Sequence, residues 1–279
     1  MTASAALQDA PLLIDEQGGV AWLTMNRPER LNAMNPGLVD ALRHYFEALR
    51  DRSDIRVVVL QGAGRAFCAG LDLKHQAEQG QALQAAGSQP RPLSDSLATQ
   101  YSIRNIMLAM RRCPQPVISV VQGSASGGGL ALALSSDIRL ATPDARFNAA
   151  FIKIGLTGCD MGVSYFLPRM VGASVAAEML MTRRFMNAQR AWQLGLVSHV
   201  APLDDLLLEA RTLVQELLNA TPLGLRLTKE ALGHALDGNS LESVMAMEDR
   251  NQMLATRGSD FQEGMTAFLE KRAPRYTGQ

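Results

Sequence analysis

Cysteine is scarce in this 279-residue chain: three residues, at 68, 113 and 159, with no CxxC spacing. An odd, unpaired set argues against a disulfide framework and against a zinc site, and points to a reducing cytosol. An excess of either charge is missing too. Lys plus Arg (27) balance Asp plus Glu (27), and the pI is near 6.9. Nothing in that balance forms a footprint for nucleic acid or an anionic membrane. No apolar run reaches spanning length, and Met1 to Ala10 has neither the basic nor the apolar region of a leader. The expectation is a soluble, cytoplasmic protein that contacts neither nucleic acid nor membrane. Other site chemistries fail on spacing. Gly123-Ser124-Ala125-Ser126-Gly127 has alanine where a nucleophile elbow needs serine, and there is no HExxH and no Walker lysine.

What is present centres on Pro116 to Leu134. Val117-Ile118-Ser119-Val120-Val121 reads as a buried strand, and Gly127-Gly128-Gly129 opens the apolar helix Leu130 to Leu134. Three glycines in a first helical turn are poor helix formers. They are useful where a ligand must approach the backbone, because the free N–H groups of that turn and the helix dipole favour an oxygen bearing negative charge. A close helix-to-sheet crossing is the other explanation.

The rest of the chain alternates strands and helices, an α/β pattern. Leu12 to Ile14 and Gly19 to Met25 read as strands. Asn35-Pro36 starts a helix with Asn as cap and Pro at its first position. Ile55 to Leu60 is a buried-type strand followed by a second small-residue loop, Gly62 to Leu73, at the strand end where ligands sit in α/β sheets. Lys74 to Ala98 is rich in Gln, Ala, Gly and Ser and reads as a mobile segment or loose helix. Tyr101 to Met110 is helical by its apolar spacing, and Asp137 to Ala141 is a strand. From Leu203 four helical stretches follow: Leu203 to Leu218, Pro222 to Leu236, Leu241 to Ala255 and Phe261 to Glu270.

These residues carry a resemblance. Met25-Asn26-Arg27-Pro28-Glu29-Arg30-Leu31-Asn32-Ala33-Met34, Gly64 to Leu73, Gln122 to Leu130, Leu167-Pro168-Arg169, Ala191 to Val197 and Glu263 to Arg272 occur in the order and spacing of the crotonase superfamily, the enoyl-CoA hydratase/isomerase family. The chain resembles that family over nearly its whole length. The resemblance implies an α/β crotonase (ClpP/crotonase-like) spiral of repeated ββα units over 11–200, with a helical C-terminal trimerisation module over 201–279. It implies an acyl-CoA thioester substrate, coenzyme A entering only as part of that substrate, and a homotrimer or homohexamer.

It also assigns roles. The N–H groups of Leu71 and Gly128 form an oxyanion hole for the thioester carbonyl. Each preorganised donor of this kind contributes roughly 3 kcal/mol to the transition state. Backbone near Leu31, Ala33, Ala66 and Ala69 holds nucleotide and pantetheine, and Arg27, Arg30 or Lys271 meets phosphates. Gly70, Asp72, Gly127, Ala131 and Phe151 fall on the substrate. Relatives that hydrate use two glutamates; the matching positions here are Ala131 and Phe151, which cannot hold or deprotonate water. Asp160, allowing a one-residue length difference in its loop, aligns with the acid used by enoyl-CoA and dienoyl-CoA isomerases. Its other reading is an N-cap for the helix through Val163 and Leu167. The resulting expectation is an acyl-CoA isomerase or lyase in which Asp160 moves the proton, with hydration by Asp160 alone, or acyl-CoA binding without catalysis, as alternatives.

Overall fold

The computed structural model describes residues 10–85 and 92–278. In chain order come β1 (Leu12–Gln17), β2 (Val20–Met25), α1 (Pro36–Ala48), β3 (Val57–Gly62), α2 (Leu73–Ala85), α3 (Leu93–Arg112), β4 (Val117–Val121), β5 (Ser124–Ser126) and α4 (Gly128–Ser135). The second half holds β6 (Ile138–Ala141), β7 (Arg146–Asn148), α5 (Val163–Val171), α6 (Ala173–Thr182), β8 (Met186–Asn187), α7 (Ala188–Gln193) and β9 (His199–Val200). Four longer helices complete it: α8 (Leu203–Leu218), α9 (Pro222–Leu236), α10 (Leu241–Ala255) and α11 (Ser259–Glu270).

A six-stranded sheet runs β1-β2-β3-β4-β6-β9, parallel except for the β1–β2 hairpin, and a small sheet runs β5-β7-β8. In two successive turns of the chain one strand enters the large sheet, a short one the small sheet, and a helix follows. The units β4-β5-α4 and β6-β7-α5 are that ββα repeat of the crotonase spiral.

Strand alternation explains why both faces are covered. Val57, Val59, Ile118 and Val120 point to one side and pack under Leu206, Ala210 and Val214 of α8. Val58, Leu60, Val117 and Val121 point to the other, into the larger cluster with α1, α3 and α4. A parallel sheet buried on both faces reads as continuous β-branched runs, as these strands do. Because α8 closes one of those faces, the helical module expected from residue 201 begins with a helix that belongs to the core.

The four C-terminal helices fall where their caps and periodicity put them. Thr221 and Ser240 accept from Gly224 N and Ser243 N as N-caps. The Lys74 to Ala98 stretch follows the helical of its two expected readings. It contains α2 and the start of α3, whereas residues 86–91 lie outside the described part. Its low apolar content leaves these turns mostly exposed, which is why the pattern hid them. No described helix is long and apolar enough to cross a membrane, and no three described His, Cys, Asp or Glu are grouped to hold a metal ion.

Candidate active site

The loop after β3 is stitched to the strand turn β4–β5. Phe67 N donates to Gln122 O (2.7 Å), Cys68 N to Ser124 O (3.0 Å) and Ser126 N to Cys68 O (3.0 Å). On its other edge, Met34 N donates to Gly70 O (2.7 Å) and Asp72 N to Met34 O (3.0 Å). The Gly70–Leu71 peptide is trans, so with its carbonyl turned to Met34 its N–H is turned away. That Leu71 N–H has no hydrogen-bond partner among the described residues, and neither has Gly128 N–H at the start of α4.

The three glycines of α4's opening turn out to serve three purposes. Gly127 takes φ +52°, ψ −115°, which a side chain would strain. Gly129 has no room: an ideal Cβ would fall 2.0 Å from Cys68 O. Gly128 faces space occupied by flexible thioethers, with Met34 Cε 2.2 Å and Met161 Sδ 3.4 Å from its ideal Cβ. Gly70, at φ +96°, brings the loops together, its ideal Cβ falling 2.8 Å from Ser126 O and 3.3 Å from Gly128 N. Gly129 thus permits the close crossing of α4 and the Cys68 loop, while Gly128, next to Gly70, keeps an amide without a partner among the described residues.

Asp160 stands in the loop before α5. Its Oδ1 accepts Met161 N (2.7 Å) and Gln100 Nε2 (2.5 Å), and Oδ2 has no partner among the described residues. It does not cap α5 with its side chain. Gly162 occupies the N-cap without a side-chain bond, and Asp160 contributes only its carbonyl, to Val163 N (2.9 Å). Met161, held at φ +48°, reaches from this loop to Gly128. Ala131 is fully buried in α4, and the Phe151 ring lies 3.5 Å from the ideal Cβ of Gly127. Neither position offers a carboxylate.

The expected CoA residues divide. Leu31, Ala33, Ala66 and Ala69 come together: Ala69 N donates to Leu31 O (3.0 Å), and Asn32 Nδ2 to Ala66 O (2.7 Å). Ala66 N–H and the Ala69 carbonyl remain without partners among the described residues. Arg27 and Asp72 have an internal task instead. The Arg27 guanidinium pairs with Asp72 (2.8 Å) and donates to Ala33 O, and Asp72 accepts His75 N (3.1 Å) at the start of α2. Burial pushes the Asp72 carboxyl up, but the His75 N–H and the Arg27 guanidinium outweigh it and hold it below the ordinary value of 3.8. This buried pair is a strut for the loop rather than open ground for phosphate or substrate. Lys271, just past α11, is exposed at φ +54°.

The cysteines differ from one another. Burial pushes the Cys68 thiol up to about 12, so it is no nucleophile at neutral pH. Cys159 is exposed and lines an apolar cavity of about 270 Å³ with Ile152, Pro168, Ala176 and Leu180. Sequence reading missed Gln100. Its signal is a polar residue on the stripe that continues through Ile103, Met107 and Met110, the buried face of α3.

A spiral of strand and helix turns with a two-faced parallel sheet and a small companion sheet is the architecture of the crotonase class. Sequence comparison refines that. The profile of the enoyl-CoA hydratase/isomerase family matches residues 15–279, and the chain belongs to that family. It is 38% identical over 265 residues to the probable enoyl-CoA hydratase echA12 of Mycobacterium bovis, covering 92% of this chain and 89% of that protein. To the 1,2-epoxyphenylacetyl-CoA isomerase of Escherichia coli K12 it is 35% identical over 268 residues, covering 96% and 98%. A solved structure of a putative enoyl-CoA hydratase from Streptomyces coelicolor A3(2) superimposes with a TM-score of 0.87 at 34% identity, covering 96% and 94%.

Proposed function

We propose that this enzyme isomerises an unsaturated acyl-CoA through a thioester enolate. The carbonyl oxygen lodges between the N–H groups of Leu71 and Gly128. Asp160 Oδ2 takes a proton from C2, the C–H electrons pass through C1 to the oxygen, and the same carboxyl returns the proton to C4 as the double bond moves from C3–C4 to C2–C3. Atoms and charge balance with no second acid. The observation that carries this reading is the inventory of carboxylates: Asp160 Oδ2 has no partner among the described residues, and the adjacent Met161 borders the space in front of Gly128, whereas the positions that by resemblance hold the hydratase glutamates are Ala131 and Phe151.

The test is turnover of a 3-enoyl-CoA and C2 proton exchange in heavy water for wild type and Asp160→Asn. A positioned general base contributes about 10²–10⁴-fold, so a loss of that size supports the reading and unchanged turnover overturns it. The resemblance to relatives named as probable enoyl-CoA hydratases, such as echA12 of Mycobacterium bovis, favours hydration as the second reading, with Asp160 alone activating water. Formation of 3-hydroxyacyl-CoA from a 2-enoyl-CoA would establish it. Binding of acyl-CoA without exchange would instead mark a non-catalytic binder.

The substrate's CoA portion follows the Leu31–Ala33 and Ala66–Ala69 backbone, with Lys271 toward phosphate. The exposed apolar side chains of α9 to α11, Phe268 (82% exposed) and Leu269 (73%) among them, support assembly as a trimer or a dimer of trimers.

A further inference from the structure

We propose that Gln100 is a positioning residue that selects which oxygen of Asp160 carries the proton. This rests on the reading of Asp160 as the proton carrier. Gln100 is half-buried on the first half of α3, where residues 92–99 are all exposed, and its carboxamide crosses to a loop 60 residues away. The contact is 2.5 Å from Nε2 to Asp160 Oδ1. The same oxygen accepts Met161 N at 2.7 Å. Two N–H donors on one oxygen fix the carboxylate plane and leave Oδ2 as the atom free to meet a C–H bond.

The loop alone does not supply this. Met161 and Gly162 both hold positive φ, +48° and +85°, a pair of left-handed residues that a non-glycine adopts only under constraint. The loop's own ties at this point are the Asp160 carbonyl to Val163 N (2.9 Å) and Oδ1 to Met161 N. Neither stops the carboxyl from rotating to exchange its oxygens. Gln100 reaches it from a separate element whose next turns are anchored by Ile103, Ile106 and Met107 in the core, so the position of the donor is set independently of the loop. Position 100 shares a stripe with Ile103 and Met107, and a glutamine there gains nothing from packing that a leucine would not.

The experiment is a double-mutant cycle with Gln100→Met, which keeps length and apolar contact but removes the donor, and Asp160→Asn. Both are followed by steady-state kinetics on a 3-enoyl-CoA, C2 proton exchange and thermal melting. Gln100→Met is expected to lower kcat by about 10- to 100-fold, the scale of a small misplacement of a reacting group, with KM and Tm held. In the Asp160→Asn background the same change is expected to do nothing further. Gln100→Lys, which restores an N–H donor of similar reach, is expected to recover part of the loss. If Asp160→Asn is deleterious but Gln100→Met leaves kcat unchanged, or multiplies the Asp160→Asn defect, the positioning role is wrong and the proton-carrier reading stands. If Asp160→Asn itself is silent, the proton-carrier reading fails first.

Discussion

Gly128 and Gly129 are adjacent, yet alanine at each should fail differently. At 129 the new Cβ would lie 2.0 Å from Cys68 O and 2.8 Å from Cys68 C, backbone atoms tied to Ser124 and Ser126 by two hydrogen bonds. Contacts below 3.0 Å are essentially never tolerated, so backbone must move by at least 1.0 Å (3.0 − 2.0). Overpacking of this kind costs about 3 kcal/mol, roughly 6–12 °C in Tm for a chain of this size. At 128 the first atom met is Met34 Cε, the end of a flexible side chain that swings aside cheaply. Alanine's better helix propensity, about 1 kcal/mol, offsets much of that, so Gly128→Ala should melt within a few degrees of wild type. Its cost falls on chemistry. A methyl group and a displaced thioether crowd the space before the 128 N–H, and losing one oxyanion donor costs about 10²–10³-fold in kcat. Melting by circular dichroism and C2 exchange in heavy water separate the two effects. Wild-type exchange in Gly128→Ala, or a wild-type Tm in Gly129→Ala, would refute the division of labour between these glycines.

Three further outcomes follow from other parts of the molecule. Because the folded Asp72 carboxyl is held below 3.8, it stabilises the fold fully above that pH, and this contribution disappears as pH falls through the lower folded value; Asp72→Asn should be less stable at neutral pH and show a shallower loss of stability below about pH 4 in urea titrations. Lys229, buried, donates to Met110 O (2.9 Å) and Gln115 O (2.7 Å) and pairs with Asp137 (2.9 Å), binding α9 to the end of α3. Lys229→Ala should lower the urea midpoint by the equivalent of about 3–5 kcal/mol without changing the slope. Sedimentation should give a mass at least three times the 30.2 kDa chain, and Phe268→Glu should reduce it; a wild-type monomer would contradict the assembly proposed for α9 to α11.

Local chemistry made much of the fold legible. Asn35-Pro36 as cap and first turn, the valine runs of β3 and β4, and the caps of the last helices are signals contained within a few residues, and these elements stand where they were expected, β3 shifted two residues along from residues 55–60 to Val57–Gly62. The loop glycines were legible as a place where backbone must come close, though which glycine serves which neighbour depends on Cys68 and Met34, far away in sequence. Arg27 and Asp72 looked like ligand contacts because sequence shows charge but not partner, and the two lie 45 residues apart. Gln100 was invisible for the same reason, and the positive φ of Met161 has no compositional mark at all.

The carbonyl stretch of a bound thioester tests the oxyanion hole most directly. Infrared difference spectra of a carbonyl-labelled 2-enoyl-CoA on the wild-type enzyme should show the band moved to lower frequency than in water, the shift persisting in Asp160→Asn and shrinking in Gly128→Ala. A bound thioester whose carbonyl frequency matches that of the free molecule in water would mean that the amides of residues 71 and 128 do not hold its oxygen.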